Sequence, residues 1–225
     1  MGGNTEVVIE EIYNTIIREG YIENNGLIGE ASKRFKELGG WFIPNPDGNS
    51  QIAPLALELL LEAEMAYCFK LQRSAIFYSA TALDAELRRC LVKHCSASHN
   101  DLKRTPFGGA ITCLKKTKIK PDNTHLIINL EMVNGIRNKL AVHGAHGNLL
   151  ISFDETRDMD DHGKYDVEAL EIVITLLQNY CSEDEIESLQ IEGYRFENQA
   201  IDMLAFKVVT TTMDTISLLD NCFWP

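Results

Sequence analysis

The chain has 225 residues and a formal net charge of −12, and apolar residues make up 45% of it. This composition supplies enough material for a hydrophobic core, and the negative charge disfavours indiscriminate binding to nucleic acid or to anionic membranes. No apolar run approaches the roughly 20 residues that a transmembrane helix needs, and the N-terminus turns acidic at once, unlike a signal peptide. We therefore expect a cytoplasmic protein that does not enter a membrane.

The first 50 residues combine one helical pattern with a turn-rich stretch. Val8, Ile12 and Ile16 recur at spacings of four within residues 5–19, which predicts a helix that ends at Gly20. Residues 20–51 contain two prolines and an Asp-Gly pair, which is the chemistry of turns. We interpret residues 1–50 as an N-terminal extension that packs on the core.

Two buried helices are predicted next, over residues 51–70 and 73–96. Ser50 is a suitable N-cap for the first of them. The second has a stripe at helical spacing, formed by Ile76, Ala80, Leu83, Leu87 and Leu91. A single helix over both segments would be unusually long for a compact domain, so we expect a short break near residues 70–73.

The rest of the chain also has helical patterns. We predict a loop at "RTPFGG", a short helix over about 108–118 and a long helix over about 123–143. A polar loop and a helix from Asp166 to Cys181 follow, and Ser182 and Glu185 then form a capping box. The last predicted helix covers 195–221, in spite of the strand-favouring "VVTTT". The predicted fold class is all-α, with a helical core over residues 51–182 and a C-terminal helical extension over 183–225.

The six cysteines are scattered through apolar helical patterns, which indicates free thiols in a reducing compartment. One cluster, "CLVKHCSASH", places Cys90 with His94 and Cys95 with His99 at i,i+4 spacing, as zinc ligands can be. The two pairs lie on different faces of a helix, so we favour an ordinary helix end with two histidines. We predict no metal and no cofactor.

Charge is unevenly distributed along the chain. Residues 102–120 contain no acid and six basic residues, namely Lys103, Arg104, Lys115, Lys116, Lys118 and Lys120. Residues 154–197 contain fourteen acids against three basic residues. The basic segment is open to two interpretations: it holds a polyanion locally, or it is a solvated helix end and loop.

The long helix over 123–143 places polar residues where its pattern calls for apolar ones. Arg137 continues a seam that contains Leu130 and Val133, and His143 continues a second stripe. A buried guanidinium is costly unless it is paired, so Arg137 indicates an internal acid, an interface or a cleft. On an ideal helix, six residues correspond to 120° and about 9 Å of rise. A two-fold dimer would bring two such helix ends together in one cleft.

Two stretches resemble a known family. "IRNKLAVHG" is similar to the R-x4-6-H signature of the HEPN superfamily of all-helical nucleases and nuclease-like modules, and Asn138 matches the polar residue that often follows its arginine. "EAEMAYCFKLQRSAIFYSATALDAELRRCL" resembles the first two HEPN helices, with an acid at Asp84. The resemblance covers residues 52–181. Five residues separate Arg137 from His143, whereas closely similar motifs have four.

The resemblance implies a HEPN-like helical bundle that forms a homodimer with paired motifs and cleaves RNA without a metal. Such proteins act in toxin–antitoxin, phage-defence or RNA-processing systems. Arg137 would bind the scissile phosphate, Asn138 would orient it or the histidine, and His143 would be the acid–base group. Asp84 would pair with Arg137, and His146 is a reserve candidate for His143.

Other interpretations stay open. The chain can be a non-catalytic dimerisation or adaptor module that holds a protein partner, such as an antitoxin, through its acid-rich segment. Arg137 can equally be a structural ion-pair partner of Asp84, with His143 as a helix-end histidine beside Gly144. A small-molecule binder has no motif to support it.

Overall fold

The computed structural model describes residues 25–40, 42, 52–95, 97–119, 124–142, 167–189, 194–219 and 221–223. Within these ranges the chain is helical, and the β-type pairing described is one isolated bridge between Ile119 and Phe223. The all-α prediction is therefore confirmed. The helix predicted over residues 5–19 lies outside the described ranges.

The described ranges contain nine α-helices and one π-helical turn. They are α1 (Asn25–Glu37), α2 (Pro54–Cys68), α3 (Gln72–Cys95), α4 (His99–Lys103), α5 (Phe107–Lys115), α6 (His125–Arg137), the π-turn (Asn138–Val142), α7 (Val167–Tyr180), α8 (Glu183–Glu187) and α9 (Tyr194–Leu219). None of these helices is long and apolar enough to cross a membrane. The predicted capping box is confirmed, since Ser182 and Glu185 bond each other's backbone N–H groups at the start of α8.

Helix α3 lies at the centre of the bundle, where it packs against α2, α5, α6 and α9. Its predicted stripe is confirmed, because Ile76, Leu83, Leu87 and Leu91 are all fully buried. Phe77 and Val92 on the same helix are exposed. A side chain at such a position can meet a ligand while its backbone is held by the bundle.

The predicted break between the two long helices is also confirmed, and its cause is local. Lys70 has a positive φ of 60°. The N–H of Leu71 bonds the carbonyl of Ala66 at 2.8 Å, and the N–H of Lys70 bonds the carbonyl of Tyr67 at 3.1 Å. This pair of bonds is the Schellman motif, which ends a helix with one left-handed residue.

Helix α1 corrects the turn-rich interpretation of residues 20–51, which is wrong for residues 25–37. Ala31, Phe35 and Leu38 follow i,i+4,i+7 spacing and pack against the core. Each glycine in this stretch lowers the stability of the helix by about 1 kcal/mol at most, relative to alanine. Burial of three apolar side chains outweighs it.

Described residues from all three predicted segments of the chain contribute to one buried apolar cluster. Leu38 comes from the first 50 residues, Leu83 from the central segment and Leu204 from the last. The strand-favouring stretch near the C-terminus is helical, since Val208, Val209 and Thr212 lie within α9 and are fully buried. Tertiary packing therefore overrides the local β-propensity.

Candidate functional site

The candidate motif lies where α6 changes its geometry. The α-helix ends at Arg137, and Asn138–Val142 continue it as a π-helical turn. Such turns are rare and are found frequently at functional sites. The predicted site residues Arg137 and Asn138 are described, whereas His143 and His146 lie outside the described residues. The ideal-helix separation of Arg137 and His143 does not apply across a π-helical turn.

Arg137 continues the buried seam of α6, as its position in the pattern predicts. Leu130, Val133 and Leu140 on this seam are buried, and Arg137 itself is half-buried. Its Nη1 donates to Oδ1 of Asn138 at 3.4 Å, which is a long hydrogen bond. Its Nε is buried and has no hydrogen-bonding partner in the part of the chain that the structure describes. The guanidinium therefore has hydrogen-bonding capacity that the described protein groups do not use.

Asp84 does not serve Arg137 as a hydrogen-bonding partner, contrary to the expected pairing. Both of its carboxylate oxygens accept from Arg88, at 2.8 Å from Nε and 2.9 Å from Nη2. Burial raises the pKa of Asp84, while the bonds and charge of Arg88 and the charge of Arg137 act in the opposite direction. Among the residues that the structure describes, no carboxylate lies within ion-pair distance of Arg137.

Arg88 connects the site to the basic segment. Its Nη2 donates to the carbonyl of Thr105 at 2.7 Å, and its Nη1 donates to the carbonyl of Leu102. These bonds hold the chain between α4 and α5 against α3. Lys103 and Arg104 in that stretch are exposed, and together with Asn100 and Asp101 they line an open groove of about 740 Å³.

Much of the basic segment reaches solvent. Lys115, Lys116 and Lys118 are also exposed, and Lys115 forms an ion pair with Glu131 at 2.5 Å. Exposure agrees with both earlier interpretations, a polyanion track and a solvated helix end. Exposure alone therefore does not decide between them.

Asn134 orients Asn138, and our sequence reasoning missed it. Nδ2 of Asn138 donates to Oδ1 of Asn134 at 3.3 Å, so the Asn138 carbonyl is turned to Arg137. The i,i+4 spacing of the two amides on one helix was the available signal. Helix α5 approaches closely here, because a Cβ at Gly108 would lie 3.3 Å from Nδ2 of Asn134.

The aromatic ring of Phe77 lies beside Arg137 and was also missed. The Cζ atom of Arg137 is 5.8 Å from the centroid of this ring, which is within cation–π range. Phe77 and Asp84 are seven residues apart on α3, so they share one face of that helix, with Arg137 near both. On the other side of α6, a Cβ at Gly135 would lie 2.6 Å from the hydroxyl oxygen of Tyr180, which therefore packs against the helix backbone.

The Cys/His cluster forms no comparable site. The Cys90 thiol lies 3.6 Å from Oε1 of Glu86, and the His94 ring stacks on Phe223 with centroids 4.8 Å apart. Burial raises the pKa of the Cys95 thiol, which disfavours the thiolate that zinc requires. The described part of the chain contains no group of three or more metal-ligating side chains.

Comparison with known proteins finds no matching family model, curated protein or solved structure.

Proposed function

We propose that this chain is a HEPN-type endoribonuclease that works as a homodimer and cleaves RNA without a metal ion, in a toxin–antitoxin or phage-defence setting. Arg137 holds the scissile phosphate, Asn138 orients it, and His143 is the acid–base group. The RNA is an internal phosphodiester substrate that supplies its own nucleophile, the 2′-hydroxyl.

One observation carries the proposal: the half-buried guanidinium of Arg137 has a buried Nε without a hydrogen-bonding partner among the described residues. An unmet buried donor costs about 1–3 kcal/mol, and more when the group is charged. A phosphate offers several acceptor oxygens to the planar fork of an arginine and removes this cost. Asp84, the nearby acid, is already engaged by Arg88, so Arg137 remains available for an anionic ligand.

The proposed reaction is a transesterification. The 2′-oxygen attacks the adjacent phosphorus, the bond from phosphorus to the 5′-oxygen breaks, and a cyclic phosphate and a 5′-hydroxyl are left. His143 accepts the proton from the 2′-hydroxyl, and the imidazolium that results returns this proton to the leaving 5′-oxygen. Arg137 stabilises the charge that grows on the phosphoryl oxygens.

The chain keeps the RNA near this site in spite of its net charge of −12. Lys103 and Arg104 border a groove, and Arg88 ties that stretch to the helix that carries Asp84. These exposed cations attract the phosphates of the RNA chain. Elsewhere the acidic surface repels RNA.

The test is cleavage of a defined RNA in EDTA by wild type, Arg137→Ala and His143→Ala. Lys33→Ala is the matched control, because Lys33 is an exposed cation in a surface ion pair on α1. We expect wild type and K33A to produce cyclic-phosphate ends, and R137A and H143A to be slower by at least about 100-fold. A 2′-deoxy substitution at the cleaved position should block the reaction.

Equal cleavage by wild type and both site variants would contradict the proposal, since a contaminating nuclease is insensitive to these substitutions. Absence of both cleavage and RNA binding would also contradict it. A stoichiometric protein partner recovered without RNA would then support the adaptor function.

A further inference from the structure

The exposed face of α3 presents an aromatic ring beside the proposed phosphate site. Phe77 is 40% exposed, although it is a large apolar side chain. Single exposed apolar residues are common and by themselves indicate nothing. Phe77 differs from the others because the Arg137 guanidinium lies 5.8 Å from its ring centroid.

We infer that Phe77 is a stacking platform for an unpaired nucleobase next to the phosphate on Arg137, so that the site takes single-stranded RNA. This inference rests on the proposed function. The separation of guanidinium and ring is comparable with the distance between a nucleotide's phosphate and its own base. A phosphate on Arg137 therefore brings an adjacent base within reach of the ring.

The ring is held in place for this role. Its neighbour Tyr78 meets it at 71° with centroids 5.9 Å apart, and Arg137 lies near it on another side. Much of the ring nevertheless remains accessible to solvent. Stacking on an aromatic side chain is tolerant of base identity and is the usual way in which proteins bind unpaired bases.

Double-stranded RNA does not suit this geometry. Bases in an A-form helix are stacked on one another, and the major groove is too narrow for side chains to read. Phe77 projects from a helix that is anchored in the core, so its ring cannot reach between paired bases without distorting the bundle. The platform therefore selects loops, bulges and single strands.

A second copy of the chain is the competing occupant of this face. The residues one turn away from Phe77 on the same face of α3, Ser74 and Thr81, are polar. Asp84 and Arg88 continue that face and are charged. Cores of protein interfaces are depleted in charged residues, and a lone aromatic among polar groups fits a nucleobase better.

The test measures binding of a 2′-O-methyl oligonucleotide, which cannot be cleaved, to wild type, Phe77→Leu, Phe77→Tyr and Val92→Ala. Val92 is the matched control, because it lies on the same helix and is 38% exposed. We expect F77L to bind about tenfold more weakly, and F77Y and V92A to bind like wild type. Wild type should prefer the single strand to the matching duplex.

A series of oligonucleotides, each with one abasic position, identifies the stacked base. Wild type should lose affinity at one position, and F77L should be insensitive at that position. Equal binding by wild type and F77L overturns the inference but leaves the proposed function standing. Loss of binding that accompanies dissociation of the dimer in sedimentation also overturns it and assigns Phe77 to the interface. Absence of RNA binding by wild type contradicts the proposed function itself.

Discussion

The described residues include two fully buried carboxylates, Glu64 and Glu86, which differ in what surrounds them. Glu86 accepts from the Arg89 guanidinium at 2.6 Å and from the N–H of Ala53 at 2.8 Å. Glu64 accepts only from the N–H of Phe42, at 3.0 Å, and its Oε2 has no partner among the described residues. Burial raises the pKa of Glu64 to about 7, and the hydrogen bond from Phe42 acts against this increase.

The Glu64 carboxyl makes stability fall as pH rises. Its ordinary pKa is 4.5, so between pH 4.5 and about 7 the unfolded chain releases this proton while the folded chain retains it. Each unit of difference between the folded and unfolded pKa values corresponds to 1.36 kcal/mol. Above pH 7 the free energy of unfolding is therefore about 3 kcal/mol lower than it would be with a neutral side chain at this position. We expect Glu64→Gln to be more stable than wild type at pH 8 and to lack this slope.

Urea denaturation at pH 5, 6, 7 and 8 measures the effect as the free energy of unfolding. Glu62→Gln is the matched control, because Glu62 is exposed on the same helix. Parallel pH profiles for wild type and E64Q would show that Glu64 is ionised in the folded protein at pH 5.

The residues of the candidate site were not equally predictable. Arg137 is recognisable from sequence because a cation interrupts an apolar seam, and the seam is indeed buried. Phe77 and Arg88 lie on another helix, and only the packing of α3 against α6 brings Phe77 near Arg137. Periodicity within one helix gives no information on which residues of another helix it meets. Asp84 was expected to form an ion pair with Arg137. Arg88 lies one helical turn from Asp84, however, and forms the described bonds to the Asp84 carboxylate.

At the scale of single elements, the turn between α2 and α3 has a strained residue. Lys70 occupies the left-handed position of a Schellman motif with φ of 60°, where residues with a Cβ are disfavoured. Its ammonium lies 3.4 Å from Oε1 of Glu30. We expect Lys70→Gly to be more stable than Lys70→Ala by about 1 kcal/mol, because both lose the ion pair and only glycine relieves the strain.

Chemical denaturation of the two variants provides the comparison, with wild type as the reference. Since the exposed ion pair contributes less than about 1 kcal/mol, K70G should be at least as stable as wild type. Equal stability of K70G and K70A would show that the left-handed conformation is not costly at this position.

The packing of α1 depends on an ion pair that joins it to α9. Arg34 is buried, and its Nη2 donates to Oδ2 of Asp202 at 2.6 Å, with a second bond from Nη1 to Oδ1. Its guanidinium also lies 4.9 Å from the ring centroid of Tyr67. We expect Arg34→Ala to lower the free energy of unfolding by about 2–3 kcal/mol, since the Asp202 carboxylate is left without its bidentate partner.

A double-mutant cycle with Asp202→Ala isolates the pairwise contribution. Lys33→Ala is the matched control on the same helix, because Lys33 and Glu37 form an exposed pair that should contribute less than about 0.5 kcal/mol. Additive effects of R34A and D202A would contradict the role of this pair as the connection between α1 and α9.

The helices of the bundle were largely predictable, because burial imposes a 3.6-residue period on their sequences. The failures have physical causes. Helix α1 was hidden by turn-forming residues on both sides of a short apolar repeat, and its Arg34 forms a bidentate ion pair with a residue 168 positions away. The π-helical turn Asn138–Val142 has no signature in residue type, since it depends on the register of one helix against its neighbours.

At the scale of the whole molecule, charge limits where RNA can lie. A net charge of −12 repels a polyanion, so the RNA contact in the proposed function requires the exposed cations of residues 103–118. Each chain has one Arg137 and one His143. In the proposed shared site, Arg137 of one chain and His143 of the other act on one phosphate, so a two-fold dimer contains two equivalent sites.

A shared site predicts that two inactive variants restore each other's activity. A mixed dimer of Arg137→Ala and His143→Ala has two shared sites. One site takes Arg137 from the H143A chain and His143 from the R137A chain, so it is intact. The other site receives both substituted residues and is inactive. Random pairing makes about half of the dimers mixed, each with one of two sites intact, so activity should return to about one quarter of wild type.

Co-refolding of the two variants, followed by the RNA cleavage assay in EDTA, measures this recovery. The control mixes R137A with the double variant R137A/H143A, a combination that cannot form an intact site. Recovery in the first mixture and none in the control would require Arg137 and His143 to act across the dimer interface. No recovery in either mixture would contradict the shared site. If Arg137 and His143 instead acted within one chain, each chain of a mixed dimer would lack one of them, and no arrangement of the two subunits could replace it.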